Sequence, residues 1–557
     1  MDNYAIADQF SLLAKLMDIH GENSFKSKSY SSAAFALEKL PQEIAALPRE
    51  KIFQVKGIGE SVGKKIIELL DTGSLQALQE YISKTPAGVL EMMNIKGLGP
   101  KKINQLWKEM QIDTIEELQK ACEENRIAGT KGFGEKTQQG ILNSIQFQQA
   151  NAGKYLYAKV EAFALAFTAK LEEKFPDHQH TLTGDFRRQA EIIDSLDWVT
   201  TTPGDLLKDF LLSDEIKLVS DRDGMLIVSA EETLLLRFYM EEENNFAARL
   251  FETSADQSFF DAWKENNFAI DKKTEEEIFA AASIPYLPPY SRESKESLER
   301  ATTFNASEII QTSSIKGLIH AHSNWSDGGY PLEEMANELI RIGFEYLVIS
   351  DHSKSAYYAN GLSEQRIREQ HRQIDELNAK LAPFKIFKSI ECDILNDGAL
   401  DYENKILASF DLVITSVHSN LDMDEEKAMK RLLGAITNPY TTILGHMTGR
   451  QLLRRKGYPV DHRAIIDACA EHNVVIEINA SPSRLDMDWR WIGYALEKGI
   501  MLSIDPDAHT TDEFHNIKYG VLVAQKGGLP TSRNLSSYSL KEFEEFLSAN
   551  KKKKGIS

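Results

Sequence analysis

The sequence predicts a multidomain α/β protein that ends in a parallel α/β barrel, and three observations lead to this prediction. The chain has 557 residues, which is long enough for about three or four domains. Its first 150 residues contain three short Gly-x-Gly turns between helical stretches. From residue 315 onward, short apolar runs alternate with helical stretches, which is typical of parallel strands buried on both faces.

The charge of the chain is unevenly distributed. The net charge is −20, but residues 151–314 alone carry 17 Lys/Arg against 31 Asp/Glu. Residues 1–150 are nearly neutral, with 18 against 19, which leaves a DNA-binding role open for them. The apolar runs are too short for a membrane span, and we predict no signal peptide. The scattered cysteines fit a reducing, cytoplasmic location without disulfide bonds.

The N-terminal turns share one pattern, in which a lysine precedes Gly-x-Gly and an apolar helix follows. They lie in Val55–Gly59, Ile95–Gly99 and Thr130–Gly134. Such turns expose backbone amides at a helix N-terminus, which suits phosphate oxygens, although a helix C-cap would also explain a single Gly-x-Gly. The pattern resembles helix-hairpin-helix DNA-binding turns. The DNA-contacting residues that we predict are Gly57, Gly59, Lys64, Lys65, Gly97, Gly99, Lys101 and Lys102.

The first 85 residues resemble the N-terminal domain of X-family DNA polymerases. The resemblance rests on Phe25–Ala34, on the first glycine turn and on Gly73-Ser-Leu. It makes residues 86–150 a second helix-hairpin-helix region, similar to the fingers. In that family a helix lysine can act as a Schiff-base nucleophile on abasic sugar phosphates, and Lys65 falls at that position. A solvated surface lysine is the alternative.

Residues 151–290 resemble the α+β palm and thumb of the same polymerases, with a degenerate active site. The segment Leu182–Arg188 resembles the nucleotide-binding turn of the family. When the chain is aligned on this turn, the positions of the family's three metal-binding acids are occupied by Ser195, Asp197 and Leu235. Two of the three acids are therefore missing, unless Asp194 substitutes for the first. A Mg²⁺ pair would have too few ligands there. We therefore predict that the fold remains while nucleotide transfer is lost; the residues of this degenerate site are Gly184, Arg188, Ser195, Asp197 and Leu235. A Pro-rich passage leads into a predicted linker at 291–314.

Residues that can bind a metal follow nearly every apolar run of the C-terminal part. A lone histidine near a strand end is more often a polar cap, but here the placement recurs along the chain. Because the C-terminal ends of parallel barrel strands meet at one mouth, these side chains would gather there. The recurring residues are His320, His322, Asp327, His352, Glu391, His418, His446, Asp507 and His509.

This order of motifs over residues 315–557 resembles the polymerase and histidinol phosphatase (PHP) domain. The resemblance implies a distorted seven-stranded (β/α) barrel with two or three divalent ions held by those nine residues. Ligands without thiolate suit Mn²⁺ or Zn²⁺, with Fe²⁺ as a further option. Glu391 is the expected bridging carboxylate, and we expect Glu391, His322 and Asp507 to take part in catalysis. Leu318 departs from the aspartate that is usual before the histidine pair, and Arg450 or Arg484 could bind a phosphate.

The leading hypothesis is a monomeric DNA repair protein that acts on gapped or damaged DNA as a metal-dependent 3′→5′ exonuclease. Three alternatives stay open. They are an active gap-filling polymerase that also carries the nuclease, a small-molecule phosphoesterase of the histidinol phosphatase type, and a DNA-binding scaffold without activity. The hairpin turns argue against the small-molecule phosphoesterase. A complete ligand set argues against the inactive scaffold.

Overall fold

The computed structural model divides the chain into two compact units, Met1–Ala152 and Gly153–Ser557. In the part of the chain that is described, no helix is long and apolar enough to cross a membrane. The predicted order of an all-α part, an α+β part and a parallel α/β barrel is confirmed. The structure describes every residue except Asp2, Lys39, Pro41, Lys96, Asp214, Glu231, Glu232 and Ser557.

The first unit is helical throughout its described residues. Its core consists of apolar side chains from successive helices, such as Phe10, Leu69 and Leu118, which are all fully or almost fully buried. The helices are α1 (Asn3–Ile19), α2 (Ser24–Glu38), α3 (Arg49–Ile52), α4 (Glu60–Thr72), α5 (Gln76–Lys84), α6 (Ala87–Met92), α7 (Pro100–Asn104), α8 (Ile115–Glu123) and α9 (Glu135–Asn151).

The three glycine turns of this unit have the same backbone geometry. The first glycine of each turn has a φ of 92°, 88° or 91°, a region that favours glycine; these residues are Gly57, Gly97 and Gly132. The second glycine is the N-cap of the next helix; these residues are Gly59, Gly99 and Gly134. Among the described residues no side chain caps these three helix ends. The first amides of α4 and α9 are therefore available to an outside acceptor, whereas α7 begins with Pro100, which has no amide N–H.

The second unit begins with a five-stranded mixed sheet in the order β2-β4-β7-β6-β5. Its elements are β1 (Tyr155–Leu156), α10 (Tyr157–Lys174), β2 (His180–Thr183), α11 (Gly184–Arg187), β3 (Ile192–Ile193), β4 (Ser195–Thr200), α12 (Gly204–Leu211), β5 (Lys217–Arg222), β6 (Met225–Ala230), β7 (Leu234–Met240), α13 (Phe246–Thr253), α14 (Gln257–Glu265), α15 (Glu275–Ala281) and α16 (Lys295–Glu299). Strands β4 and β7 are parallel, and Ser195 pairs with Leu235.

The segment 291–314, predicted to be a linker, is packed and contains α16. Its Arg292 is fully buried, donates to Glu275 and lies within 5.5 Å of the ring centroids of Phe251, Phe279 and Tyr286. A buried guanidinium needs such partners to offset its lost hydration.

The remaining strands form the barrel. They are β8 (Gly317–Ala321), β9 (Tyr346–Ile349), β10 (Lys385–Lys388), β11 (Glu391–Asp393), β12 (Ile414–Ser416), β13 (Ile443–Leu444), β14 (Val475–Asn479) and β15 (Leu502–Asp505). All their pairings are parallel, in two groups ordered β10-β9-β8 and β11-β12-β13-β14-β15. Since only two residues separate β10 from β11, these two count as one bent strand, which gives seven strands in all.

Two isolated bridges close the barrel. His352 pairs with Glu391, and Ala321 pairs with Ala508, where the His322 amide also donates to the Ala508 carbonyl at 2.8 Å. The surrounding helices are α17 (Leu332–Arg341), α18 (Glu364–Leu381), α19 (Asn404–Leu407), α20 (Glu425–Ile436), α21 (His462–Glu471), α22 (Ile492–Glu497), α23 (Ile517–Lys526) and α24 (Leu540–Lys553). Phe543 of α24 stacks on Tyr346 at the start of β9, so α24 covers the end opposite the candidate ligands.

Candidate metal centre

Glu391 is the centre of the site, and its two oxygens face different histidines. Its Oε1 lies 2.9 Å from His446 Nε2 and 3.0 Å from His418 Nε2. Its Oε2 lies 2.9 Å from His352 Nδ1 and 3.7 Å from His322 Nε2. The carboxylate is fully buried. This arrangement suits a carboxylate that bridges two cations, because each oxygen has its own set of imidazoles.

The other candidate ligands complete the ring around Glu391. Asp507 Oδ1 lies 3.1 Å from His322 Nε2 and 3.5 Å from His320 Nε2. Asp327 lies 3.6 Å from Nε2 of both His352 and His509. All nine side chains therefore lie at one mouth. Three sets have ligand atoms within 4.8 Å of one another: His322, Asp327, His352 and His509; His320, His322 and Glu391; His352, Glu391 and His418.

His320 and His322 converge by a different route from simple strand alternation. The pairing of β8 with β9 shifts register between Ile319 and Ala321, and His320 has a φ of 63°. His322 lies just beyond the strand, yet its ring centroid is 5.3 Å from that of His320. The bulge, and not an unbroken strand, aims both rings at the mouth. Asp507 also has a left-handed φ, of 54°. Such backbone strain at polar residues is typical of binding sites.

Two acidic residues that the sequence reasoning missed orient the histidines. Glu477, in the middle of β14, lies 2.5 Å from His320 Nδ1 and accepts from the His446 amide at 2.5 Å. Asp393 lies 3.0 Å from His418 Nδ1. Both leave the Nε2 atoms directed at Glu391, which is the usual arrangement behind a metal-binding histidine. Asp393 could have been found from the sequence, because it lies two residues after Glu391 on one strand and so points to the same face.

The pKa values of the histidines at the mouth are shifted by the carboxylates and by the other histidines around them. Although burial opposes it, Glu391 and Asp393 raise the pKa of His418 to about 10. Asp327 and Asp507 likewise raise the pKa of His509 to about 9 against the effect of burial. Burial, together with His509 and His352, lowers the pKa of His322 to about 3. Neutral and charged imidazoles thus lie side by side around the same carboxylates.

The donor set fits divalent cations. Among the described residues, five buried atoms of the candidate ligands have no hydrogen-bond partner: His320 Nε2, His322 Nδ1, His352 Nδ1, Glu391 Oε2 and His446 Nδ1. Buried polar atoms without a partner carry a free-energy cost that a bound cation would remove. Imidazole nitrogens and carboxylate oxygens without thiolate suit zinc, manganese or iron.

The two arginines near the mouth have different environments. Arg484 Nε lies 3.5 Å from Asp507 Oδ2, so its side chain remains a candidate for binding a phosphate. Arg450, in contrast, donates to Glu191, to Asp488 and to two backbone carbonyls. Four of the five N–H donors of Arg450 are therefore engaged within the chain, which leaves Arg484 as the better candidate of the two.

The segment that resembles a polymerase site holds one acid where the resemblance implies three. Asp197 accepts from Ser195 Oγ at 2.6 Å and from Arg237 Nη1 at 3.0 Å, so an arginine already balances its charge. Leu235, the position of the third acid, is opposite Ser195 and apolar. Asp194 lies between β3 and β4, directly before Ser195.

The segment that resembles a nucleotide-binding turn forms ion pairs within the chain itself. Arg188 forms ion pairs with Asp185, with Asp256 at 3.4 Å and with Glu293 at 3.2 Å. Gly184 has a φ of 63°, and a Cβ there would lie 2.7 Å from Asp197 Oδ2. Three carboxylates around Arg188 leave little attraction for a triphosphate.

The predicted DNA-contacting lysines lie on the helices that follow the glycine turns. Lys64 is exposed and pairs with Glu60 at 2.8 Å, while Lys65, on the same helix, is half-buried. Lys101 is exposed, and Lys102 Nζ donates to the Gly97 carbonyl at 3.2 Å. The lysine of the second turn, Lys96, lies outside the described residues.

Comparison with known proteins gives matches to both halves of the chain. A helix-hairpin-helix domain family matches residues 1–75, and a SAM-like helix-hairpin-helix tandem family matches residues 89–146. The DNA polymerase/3′-5′ exonuclease PolX of Bacillus subtilis is 34% identical over 97% of this chain and 98% of its own length. A probable phosphatase of Caldanaerobacter subterraneus is 27% identical over 42% of this chain, in its C-terminal half, and 92% of its own length.

Proposed function

The chain belongs to the bacterial X-family DNA polymerases with a C-terminal PHP domain, and we propose that it acts on DNA as a metal-dependent 3′→5′ exonuclease through that domain. The observation that supports this proposal most directly is the gathering of nine ligand-type side chains around the buried Glu391. Gapped or damaged DNA is the expected substrate, because repair polymerases of this family act on it.

The chain's own residues have distinct tasks in this proposal. His320, His322, His352, His418 and His446 would hold the ions together with Glu391. Asp327, Asp507 and His509 would complete the set. When bound, divalent ions supply Lewis acidity that activates water near neutral pH and stabilises charge on the leaving 3′ oxygen. Glu477 and Asp393 fix the ring orientations, and Arg484 can orient the phosphate.

The polymerase centre is proposed to be inactive. Its one remaining acid, Asp197, is neutralised by Arg237, and Arg188 is surrounded by carboxylates. Two-metal nucleotide transfer needs several carboxylates to hold Mg²⁺ in octahedral geometry. The glycine turns of the first unit would grip the DNA backbone without reading its sequence.

A nuclease assay on gapped DNA tests this allocation, with and without chelator. His322→Ala is expected to abolish cleavage, whereas Asp197→Ala is expected to leave it intact. Loss of cleavage from Asp197→Ala alone would reverse the assignment. Cleavage that survives both the chelator and His322→Ala would refute it.

The relatives that are probable phosphatases favour a second candidate, hydrolysis of small phosphate esters at the same centre. Rates on a phosphomonoester and on a DNA strand, measured with one preparation, separate the two functions. A higher kcat/KM on the monoester would favour this second candidate. A primer-extension assay on a one-nucleotide gap, with Mg²⁺ or Mn²⁺, would test the active polymerase alternative.

A further inference from the structure

Exposed tyrosines are concentrated in the loops that follow two candidate ligands. In the described residues 315–556, four large apolar side chains are more than a third exposed, and three of them are Tyr330, Tyr357 and Tyr358. Tyr357 is 85% exposed and Tyr358 is 64% exposed. Tyr330 follows Asp327, and the other two follow His352. Exposed aromatic groups next to a site are typical of ligand-binding surfaces.

The loop that carries Tyr357 and Tyr358 is tied down on both sides. The Ser355 amide donates to Asp401 at 2.6 Å, and Ser355 Oγ donates to Asp393 at 3.0 Å. On the other side, the Asn360 side chain donates to the Trp325 carbonyl at 3.2 Å. The alanines at positions 356 and 359 are buried beneath the turn. The two rings are therefore held outward by a fixed backbone, which reduces the entropy cost of binding.

Tyr358 borders the candidate metal centre. It lines a cavity of about 420 Å³ together with Asp393, Asp397 and His418, which falls in the size range of small-ligand pockets, roughly 300–1,000 Å³. His418 in turn lies 3.0 Å from Glu391.

The charge of this cavity selects what can enter it. Asp393 and Asp397 line its wall, and their negative charge disfavours a phosphate there. A nucleobase is neutral and presents a flat π face to an aromatic ring, whichever base it is. The part of a DNA strand that fits against the tyrosines is thus the base, while the phosphodiester lies towards the histidines.

We propose that Tyr357 and Tyr358 form a stacking platform for the unpaired base at the 3′ end of a DNA strand. This inference rests on the proposed exonuclease function and assigns to these two tyrosines the positioning of the terminal base. The two ring centroids lie 6.1 Å apart and the ring planes meet at 77°. The terminal base therefore stacks on one ring and meets the other at its edge, and the adjacent phosphodiester is then directed to the metal centre. Stacking makes the platform tolerant of sequence.

Kinetics on a single-stranded 3′ end test the platform. A chain with both Tyr357→Ala and Tyr358→Ala is expected to show a roughly ten-fold or larger loss in kcat/KM, since stacking of a base on an aromatic ring has about this effect. The double Tyr→Phe chain keeps the rings and is expected to retain native kcat/KM. Ile340→Ala removes an apolar side chain that is 42% exposed on α17, and serves as a matched control without effect.

A strand whose terminal nucleotide lacks its base separates stacking from damage to the metal centre. Native and double-alanine chains are expected to cleave this abasic end at equal rates, because it has no base to stack. An equal loss on both ends, or no loss on either, would overturn the proposal. A native chain that cleaves neither end would instead contradict the exonuclease function.

Binding provides a readout without cleavage. With chelator present, a strand that ends in 2-aminopurine is expected to lose fluorescence on binding the native and Tyr→Phe chains, but not the double-alanine chain. Identical quenching by all three chains, or quenching by none, would overturn the platform whatever the nuclease assay shows.

Discussion

Arg450, four residues after the candidate ligand His446, donates to Glu191 of the polymerase-like part of the same unit. Its other guanidinium nitrogens donate to Asp488 at 3.0 Å and to the Arg484 carbonyl at 2.9 Å. Because the Arg484 side chain lies 3.5 Å from Asp507, the degenerate polymerase fold is connected to the metal mouth through two arginines.

Glu191→Gln is expected to lower the nuclease kcat several-fold and to lower the melting temperature. Removing one partner of a fully buried ion pair costs about 3–5 kcal/mol. The cost here is smaller, because Arg450 and Glu191 are partly exposed and Arg450 keeps Asp488 as a partner. Thermal unfolding and steady-state kinetics measure both effects. Glu161→Gln is the control, since its partners Lys518 and Tyr519 contact none of the nine candidate ligands in the described part of the chain. If both variants affect kcat equally, Glu191 has no special connection to the mouth.

Asp393→Asn and Glu477→Gln are each expected to weaken metal binding by about 10- to 100-fold. The charge that orients His418 or His320 is removed, while the candidate ligands themselves remain. Titration of chelated protein with Zn²⁺ or Mn²⁺ measures the affinity. Asp375→Asn is the control, because it alters an exposed acid that pairs with Lys388. This variant should leave the metal affinity unchanged. Unchanged affinity in Asp393→Asn and Glu477→Gln would contradict the orienting role.

The native chain is expected to add no nucleotide to a primer on gapped DNA. Ser195→Asp combined with Leu235→Asp should restore a Mg²⁺ site beside Asp197, since these positions are neighbours on the paired strands β4 and β7. Calorimetric titration with Mg²⁺ compares the double variant with the native chain. Templated extension by the native chain would show that the remaining acid is sufficient.

Replacement of Lys64 and Lys101 by methionine is expected to weaken DNA binding at low salt. Each DNA phosphate that a lysine no longer neutralises reduces the slope of log K against log salt by about 0.9 for duplex DNA, so the pair should reduce it by about 2. Lys120→Met is the control, because this lysine is exposed but pairs with Glu124 away from the glycine turns. An unchanged slope would exclude these two helices from the DNA-binding surface.

Burial lowers the pKa of Lys526 to about 8, although Glu293 opposes the shift. The ordinary lysine pKa is about 10.4, so between these values the unfolded chain binds a proton that the folded chain has released. Lys526 therefore makes the free energy of unfolding increase with pH in that window, by an amount on the order of 3 kcal/mol. The melting temperature rises with it. Lys526→Met should flatten the rise, whereas Lys541→Met, an exposed control, should keep it. A steep rise that persists in Lys526→Met would contradict the assignment.

The sequence by itself was sufficient for the order of the domains and for the nine residues of the candidate metal centre. Apolar runs encode parallel strands locally, and the C-terminal ends of such strands must meet. A polar residue after each run, such as His352 or His446, could therefore be placed without coordinates. That Ser195 and Leu235 offer no carboxylate beside Asp197 can also be read directly from the sequence.

The tertiary structure alone decided which side chains support that centre. Glu477 lies inside a strand and Glu191 is 259 residues before Arg450, so no local pattern links either to its partner. The bulge at His320 and the outward turn of Tyr357 likewise depend on interactions between distant segments. Periodicity records which face of an element is buried, whereas the pairing of long polar side chains is fixed only when those elements pack.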